Sequence, residues 1–500
     1  MTARRITRRQ ALAEGLAAGA TVMLASSCGG SGGRNAGAYG STLAETWSDP
    51  AGNGQLERAA GEPLIDRTEL GPAAAAQQEI ATIAHVTDAH VLDASSPARV
   101  TFLDRLGPPF QSTFRPHETL TAQVLAGTMR AIRGLRPNAV IQGGDLIDND
   151  QGNELAQALA ILNGSFVRPG SGPHGYYGVQ LASNPDPFYY RPDLDAPRFP
   201  GLLRQAAQPF WSAGVGARTY PVLGDHDILV QGEIRPTPET ETLATGSEAL
   251  WELPPGLKLP ANAASALTNN SPDGPPRPGV VSSFLAQALA GPKVPVPADP
   301  ARREMEPDEV VSTLLGGQTR PALDYHADIG SGLRLIVLDL ARRAGGSGGL
   351  VRPEHPPWLA NQLAAAGNRW IIVASHQPLA SSEGGEQLLA LLDQHPKVIA
   401  AISGHIHHNL IEPRPTESGG YWLINTASLI DYPQQARAMR VLATKGGGVA
   451  IQTWMLDHAF PGSLGTISRQ LAYLDAQGGR PKDLQGDRLD RNVTLYRSRA

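Results

Sequence analysis

The 500 residues contain a single cysteine, Cys28. That excludes an internal disulfide framework and a structural zinc site built on thiolates. No basic surplus exists either: the formal net charge is -5. Little in such a composition would displace counterions from a polyanion, so nucleic acid is not expected as a partner. The N-terminal apolar stretch, Leu12 to Ala25, is too short to span a bilayer comfortably. No internal repeat occurs. What is plentiful is hydrophobic residue, at 41%, enough for a large core, together with 55 glycines and 42 prolines, which demand long loops.

The N-terminus reads as an address. Thr7-Arg8-Arg9-Gln10-Ala11-Leu12 is a basic segment running into the apolar stretch, and it resembles a twin-arginine export signal. Cys28, followed by Gly29-Gly30-Ser31-Gly32-Gly33, is similar to a lipoprotein attachment site, departing from it by Ala25 where a larger aliphatic residue is usual. The expectation is an exported, extracytoplasmic protein with residues 1–28 as signal. Membrane contact is expected only through a lipid anchor at Cys28. Alone, the segment could equally be a basic tail with a chance cysteine. Residues 29–76 lack a sustained period and read as flexible linker.

Order is expected from Ile80. The run Ile80 to Thr87 is apolar on both faces, as a central parallel strand should be, and it delivers Asp88 and His90 to its carboxyl end. Leu120, Val124, Leu125, Met129, Ile132 and Leu135 recur at helical spacing, and Ala139-Val140-Ile141 is the next strand, ending at Asp145. Further strands at Leu333–Leu338, Trp370–Ala374 and Val398–Ile402 alternate with helices near 357–366 and 386–394. Later apolar runs at Tyr421–Thr426, Arg440–Ala443 and Val449–Leu456 read as antiparallel strands completing a second sheet. Inserts near 151–220 and 232–320 follow two of the motifs and are expected to shape a pocket or lid. A catalytic domain is thus expected over 77–460, with 461–500 packing on it as an extension.

The chemistry-bearing groups stand in a fixed order, each after a strand: Asp88-Ala89-His90, Gly143-Gly144-Asp145, Gly224-Asp225-His226-Asp227, Ser375-His376 and Gly404-His405-Ile406-His407. Singly, Asp-X-His is more often turn chemistry, and a lone histidine after a strand is usually a satisfied one. Jointly they offer hard carboxylate oxygens and borderline imidazoles without thiolates. That donor mixture suits two divalent ions about 3.5–4 Å apart, bridged by a shared carboxylate.

The ordered set resembles the five motifs of the calcineurin-like metallophosphoesterase superfamily, from about residue 80 to 460, and the long inserts are similar to those of a twin-arginine-exported branch. The resemblance implies an α/β fold: a two-sheet β-sandwich flanked by helices in four layers, with long loop insertions. It implies two divalent metal ions (Fe, Mn or Zn). Asp88, His90 and His407 would hold the first, His376 and His405 the second, and Asp145 both. Where the superfamily carries Asn as a ligand of the second metal, this chain has Asp225, which adds a negative charge. His226 would contact the phosphoryl group as general acid with Asp227 orienting it, and metal-held hydroxide would attack phosphorus in line. Arg99, Arg115 and Asn149 are candidates to face the phosphate or to pair at the surface, and His85 is expected in the core.

The function expected is hydrolysis of small-molecule or lipid-derived phosphate esters, diesters ahead of monoesters because of Asp227. The alternative, from Asp225 alone, is an exported phosphate-ligand binding protein with a weak or inactive metal site.

Overall fold

The computed structural model describes residues 39–106, 112–257, 274–275, 280–478 and 483–499. The expected signal and Cys28 lie outside these residues. Two sheets face each other. One has seven strands in the order β3 (Ile65–Leu70), β19 (Val493–Arg497), β18 (Val449–Asp457), β17 (Gln435–Thr444), β4 (Ala76–Val86), β5 (Ala139–Gln142) and β8 (Thr219–Pro221). The other has six: β11 (Tyr325–Ile329), β12 (Leu333–Leu338), β13 (Trp370–Ser375), β14 (Val398–Ser403), β16 (Tyr421–Asn425) and β15 (Leu410–Arg414).

The apolar strands predicted from the sequence form because each is covered on both faces. Ile83, Ile141, Leu333, Leu335 and Val337 are fully buried between the sheets. Each such side chain stabilises the fold by about 1.5–3 kcal/mol relative to exposure. On the outer side of the seven-stranded sheet, Val124, Leu125, Met129 and Ile132 of the helix Thr121–Leu135 pack with Leu155 and Ile161 of the helix Gly152–Asn163. Outside the six-stranded sheet, Ile336 and Val373 pack with Leu359 and Leu388 from the helices His355–Ala364 and Gly385–Asp393. Helix, sheet, sheet and helix make the four layers.

Three expectations need correction. The stretch read as linker folds from Glu45 onward: β1 (Glu45–Ser48) pairs with β2 (Glu57–Ala60), and β3 forms the edge of the larger sheet. Strand β16 runs parallel to β14 in the six-stranded sheet, whereas β17 and β18 join the seven-stranded one, so the late strands divide between the sheets. The C-terminal segment is not an addition on the surface, because β19 lies between β18 and β3 within the sheet. The inserts carry structure of their own, including the short ribbon of β6 (Phe166–Val167) with β7 (Phe210–Trp211), and β9 (Glu248–Leu250) with β10 (Lys293–Pro295).

Candidate metal centre

Strands β4 and β5 are parallel and in step, Val86 opposite Gln142. The pairing continues past their ends: Asp88 N–H donates to Gly144 O and His90 N–H to Asp145 O, both at 3.0 Å. The two loops therefore turn into the cleft side by side. β8 beside β5 brings Asp225, and β13 beside β14 brings His376, His405 and His407, with Gly404 N–H donating to His376 O at 2.9 Å. Each sheet thus supplies part of the donor set from the carboxyl ends of its parallel strands, as expected of open α/β sheets.

The turns are strained. Asp88 (φ 52°), His90 (φ 41°), Asp145 (φ 47°), His405 (φ 68°) and His407 (φ 55°) all sit in the left-handed region. That region costs a residue with a Cβ about 1 kcal/mol or more. Five such residues in one cluster indicate that the fold holds the donors against local preference. Gly144 (φ +94°) has no room for a side chain: a Cβ there would overlap the His376 ring and Gly224 N.

The donors fall into two groups with one member between them. Asp145, Asp225, His376 and His405 present ligand atoms all within 4.8 Å of one another, as do Asp88, His90 and His407, and Asp145 also groups with His90 and His226. His376 Nε2 is 3.1 Å from Asp145 Oδ2 and 3.3 Å from Asp225 Oδ1, His405 Nδ1 is 3.3 Å from Asp225 Oδ1, and His407 Nε2 is 3.2 Å from Asp88 Oδ1. His90 Nε2 is 3.7 Å from Asp145 Oδ2. Among the described residues the Nε2 atoms of His90 and His376 are buried without a hydrogen-bond partner, which an imidazole aimed at a cation would be. The residues therefore fit a pair of divalent ions: carboxylate and imidazole, converging, with Asp145 in the first group and also grouped with His90 of the second.

Neighbouring groups set the histidine tautomers. His376 Nδ1–H donates to Gly143 O (2.8 Å), while His90 Nδ1 bonds Asp148 Oδ1 (3.1 Å) and His407 Nδ1 bonds Asp431 Oδ2 (2.6 Å). With Nδ1 so engaged, Nε2 turns inward in all three. Asp431 is clamped by Arg115 through Nε (2.6 Å) and Nη2 (3.1 Å), and Asp148 by Arg99, which also reaches Glu118 at 2.6 Å. Gln377 Nε2 donates to Asp225 Oδ1 at 2.9 Å.

Charge shapes the proton affinities. Burial disfavours charged His407, yet Asp88 and Asp431 outweigh it and raise its pKa to about 10. His376 is raised well above the usual range against the same burial by Asp145, Asp225 and Asp88. Burial opposes ionisation of Asp225, but His405 and His376 hold it well below the ordinary carboxylate range. Such mutual dependence of buried anions and cationic rings is the electrostatics of a site built for positive charge.

Two expected roles change. Among the described residues Asp227 makes no hydrogen bond or ion pair with His226. Its Oδ1 accepts from Leu146 N (2.8 Å) and Ile147 N (3.3 Å), and its Oδ2 from Gly224 N (2.9 Å), so it laces two donor loops together. Burial and then the nearby Asp145 charge raise its pKa to about 7. His226 is oriented instead by the Asp148 carbonyl, to which Nδ1–H donates at 2.7 Å, and its backbone N–H donates to Asp145 Oδ1 at 3.0 Å. Arg99 and Arg115 are neither at the surface nor aimed at substrate, being 2% exposed and bound to carboxylates behind the histidines. Asn149 is buried, its Oδ1 accepting from Gln231 N at 2.9 Å. His85 is a core residue, bonded to Thr426 Oγ1, and burial lowers its pKa to about 3. Sequence reading missed Asp148, Asp431 and Gln377; the only signal was position, Gln377 directly after His376, Asp148 three residues after Asp145 and Asp431 six residues after β16 ends.

No family model matches the sequence, and no curated protein matches it. Among solved structures, the chain is similar to a dimetal phosphatase from Danio rerio at 13% identity, covering 76% of this chain and 100% of that one with a TM-score of 0.38. It is similar at 11% identity to the sulfate thiohydrolase SoxB from Termus thermophilus (80% and 61% covered, TM-score 0.29) and to PhoD (85% and 81%, TM-score 0.27). At these scores the likenesses carry no argument of their own. The four layers and the converging donor loops are the two-sheet sandwich flanked by helices that the sequence led us to expect.

Proposed function

We propose that the chain is a two-metal-dependent hydrolase of phosphate esters. The observation that carries this reading is the convergence of Asp88, His90, Asp145, Asp225, His376, His405 and His407 on one cleft, with Asp145 grouped both with Asp225, His376 and His405 and with His90. Bound there, two divalent ions would neutralise a phosphoryl group and acidify water between them. The residues supply the rest. Asp145, fixed by the His226 N–H, would help hold the ions. His226, with Nδ1–H committed to the Asp148 carbonyl, has Nε2 left to protonate the leaving oxygen. Asp227 keeps the Leu146 and Gly224 loops in register.

Diesters are proposed ahead of monoesters. A third carboxylate in the cleft, Asp225, lowers the positive charge of a filled site by one unit, which favours the substrate carrying less negative charge. The test is turnover of bis(p-nitrophenyl) phosphate and p-nitrophenyl phosphate by metal-loaded protein. Chelator-sensitive hydrolysis, faster on the diester, is expected. Two bound ions with no turnover on either ester would assign the chain to phosphate binding instead. A His226→Ala chain that keeps both its ions and its full rate would remove the general acid.

A further inference from the structure

We propose that the end of the fold opposite the donor cleft is a docking face for an anionic lipid surface. Three aromatic side chains stand open to solvent there: Trp211 at 72% exposure, Tyr39 at 59% and Phe166 at 54%. Phe166 and Trp211 face each other across the ribbon of β6 and β7. A continuous path joins them to Tyr39. Arg133 of the helix Thr121–Leu135 donates to Ala213 O at 3.1 Å, just beyond Trp211, and Arg130, one turn earlier, lies over the Tyr39 ring with 5.4 Å to its centre.

Four arginines gather on this face although the chain is net negative. Arg130, Arg133 and Arg136 are exposed at successive turns of the helix end, and Arg168 is exposed just after Phe166. Among the described residues none of the four forms a salt bridge with an acidic partner. Exposed tryptophan and tyrosine beside unpaired arginine is the composition that settles at the boundary between headgroups and acyl chains: the ring enters, and the guanidinium reaches phosphate.

The topology gives the face a direction. The helix Thr121–Leu135 ends just before β5 begins, and Asp145 follows the other end of β5. The helix Gly152–Asn163 likewise leaves the donor loops and ends beside β6, and Arg218 precedes β8, whose far end leads to Asp225. A surface bound at the arginines would therefore leave the cleft facing away from it, open to ester arriving from solution. Cys28 stands eleven positions before Tyr39 in the sequence. A lipid there and this face would together be the two signals that stable anchoring takes.

The test uses the full chain with Cys28→Ser, so that the face acts alone, sedimented with vesicles of phosphatidylcholine or of phosphatidylcholine with about one-third phosphatidylglycerol. Binding to the anionic vesicles only, reduced by salt, is expected. Arg130→Gln with Arg133→Gln should weaken it roughly 25-fold, about fivefold for each arginine. Trp211→Ser should abolish it, with chelator-sensitive ester hydrolysis and melting temperature unchanged. Absence of binding to anionic vesicles overturns the proposal, as does equal binding by the Trp211→Ser chain. A concentration-dependent dimer that Trp211→Ser dissolves would assign the face to a second copy and also overturn it.

Discussion

Replacing Asp431 by Asn should weaken the first metal position while leaving the second intact. Asp431 Oδ2 accepts from His407 Nδ1 at 2.6 Å and from Arg115 Nη2 at 3.1 Å, and Oδ1 accepts from Arg115 Nε at 2.6 Å. Every partner demands an acceptor. An asparagine offers one oxygen, so its NH2 must face either the guanidinium or His407 Nδ1. Facing the guanidinium, it sets donor against donor in a buried pocket, where one unmet group costs about 1–3 kcal/mol. Facing the ring, it forces the proton onto Nε2, the nitrogen that stands 3.2 Å from Asp88 Oδ1 and would bind the ion. Loss of such an orienting partner lowers metal affinity about 10–100-fold, which is about 1.4–2.7 kcal/mol. Competition of the apoprotein against a chromophoric chelator reads both sites. The expected result is one site weakened within that range and one unchanged. Two unchanged affinities would refute the argument that Asp431 sets the His407 tautomer.

Gly144→Ala should destabilise by about 2–4 kcal/mol in urea unfolding, combining a left-handed alanine with overlap on the His376 ring. An unfolding midpoint equal to wild type would show the turn to be roomier than described. Asp227→Asn should lower kcat by loosening the Leu146 and Gly224 loops without moving the basic limb of the pH profile, since among the described residues Asp227 makes no hydrogen bond or ion pair with His226; a displaced limb would restore the orienting role. Glu304 is raised by burial to about 7, above its unfolded value of 4.5. The folded chain therefore binds that proton more tightly, so this residue's contribution to stability is full below about 4.5 and is lost as pH rises through 7. Subtracting the melting curve of Glu304→Gln from that of wild type should give a difference falling across that window, and a flat difference would contradict it.

The sequence made the centre of this molecule legible because both of its determinants are local. A strand covered on two faces must be apolar over most of its length, as β12 is but for Arg334 and β14 but for Ser403, and ligands of an α/β sheet gather where such strands end. The elements that escaped are those whose reason lies far along the chain. Strands β1 and β2 are largely polar and partly exposed, and β3 exists because Ile65 pairs with Val493, a partner no local pattern announces. Strand β16 reads like β17 in isolation, and only its pairing with β14 and with the preceding β15 commits it to the other sheet. Arg99 and Arg115 are misread for a related cause, since a charged residue in a loop looks exposed until the inserts that bury it are in place. Asp227 shares a motif with His226, yet adjacent residues in a tight loop point apart, and its three backbone partners are Gly224 of its own loop and Leu146 and Ile147 of the neighbouring one.

Anomalous diffraction from crystals of the metal-loaded chain, with elemental analysis of the same protein, bears most directly on the central claim. Two peaks are expected, one among Asp88, His90, Asp145 and His407 and one among Asp145, Asp225, His376 and His405, with two ions per chain. A single ion, or peaks away from Asp145, would contradict it.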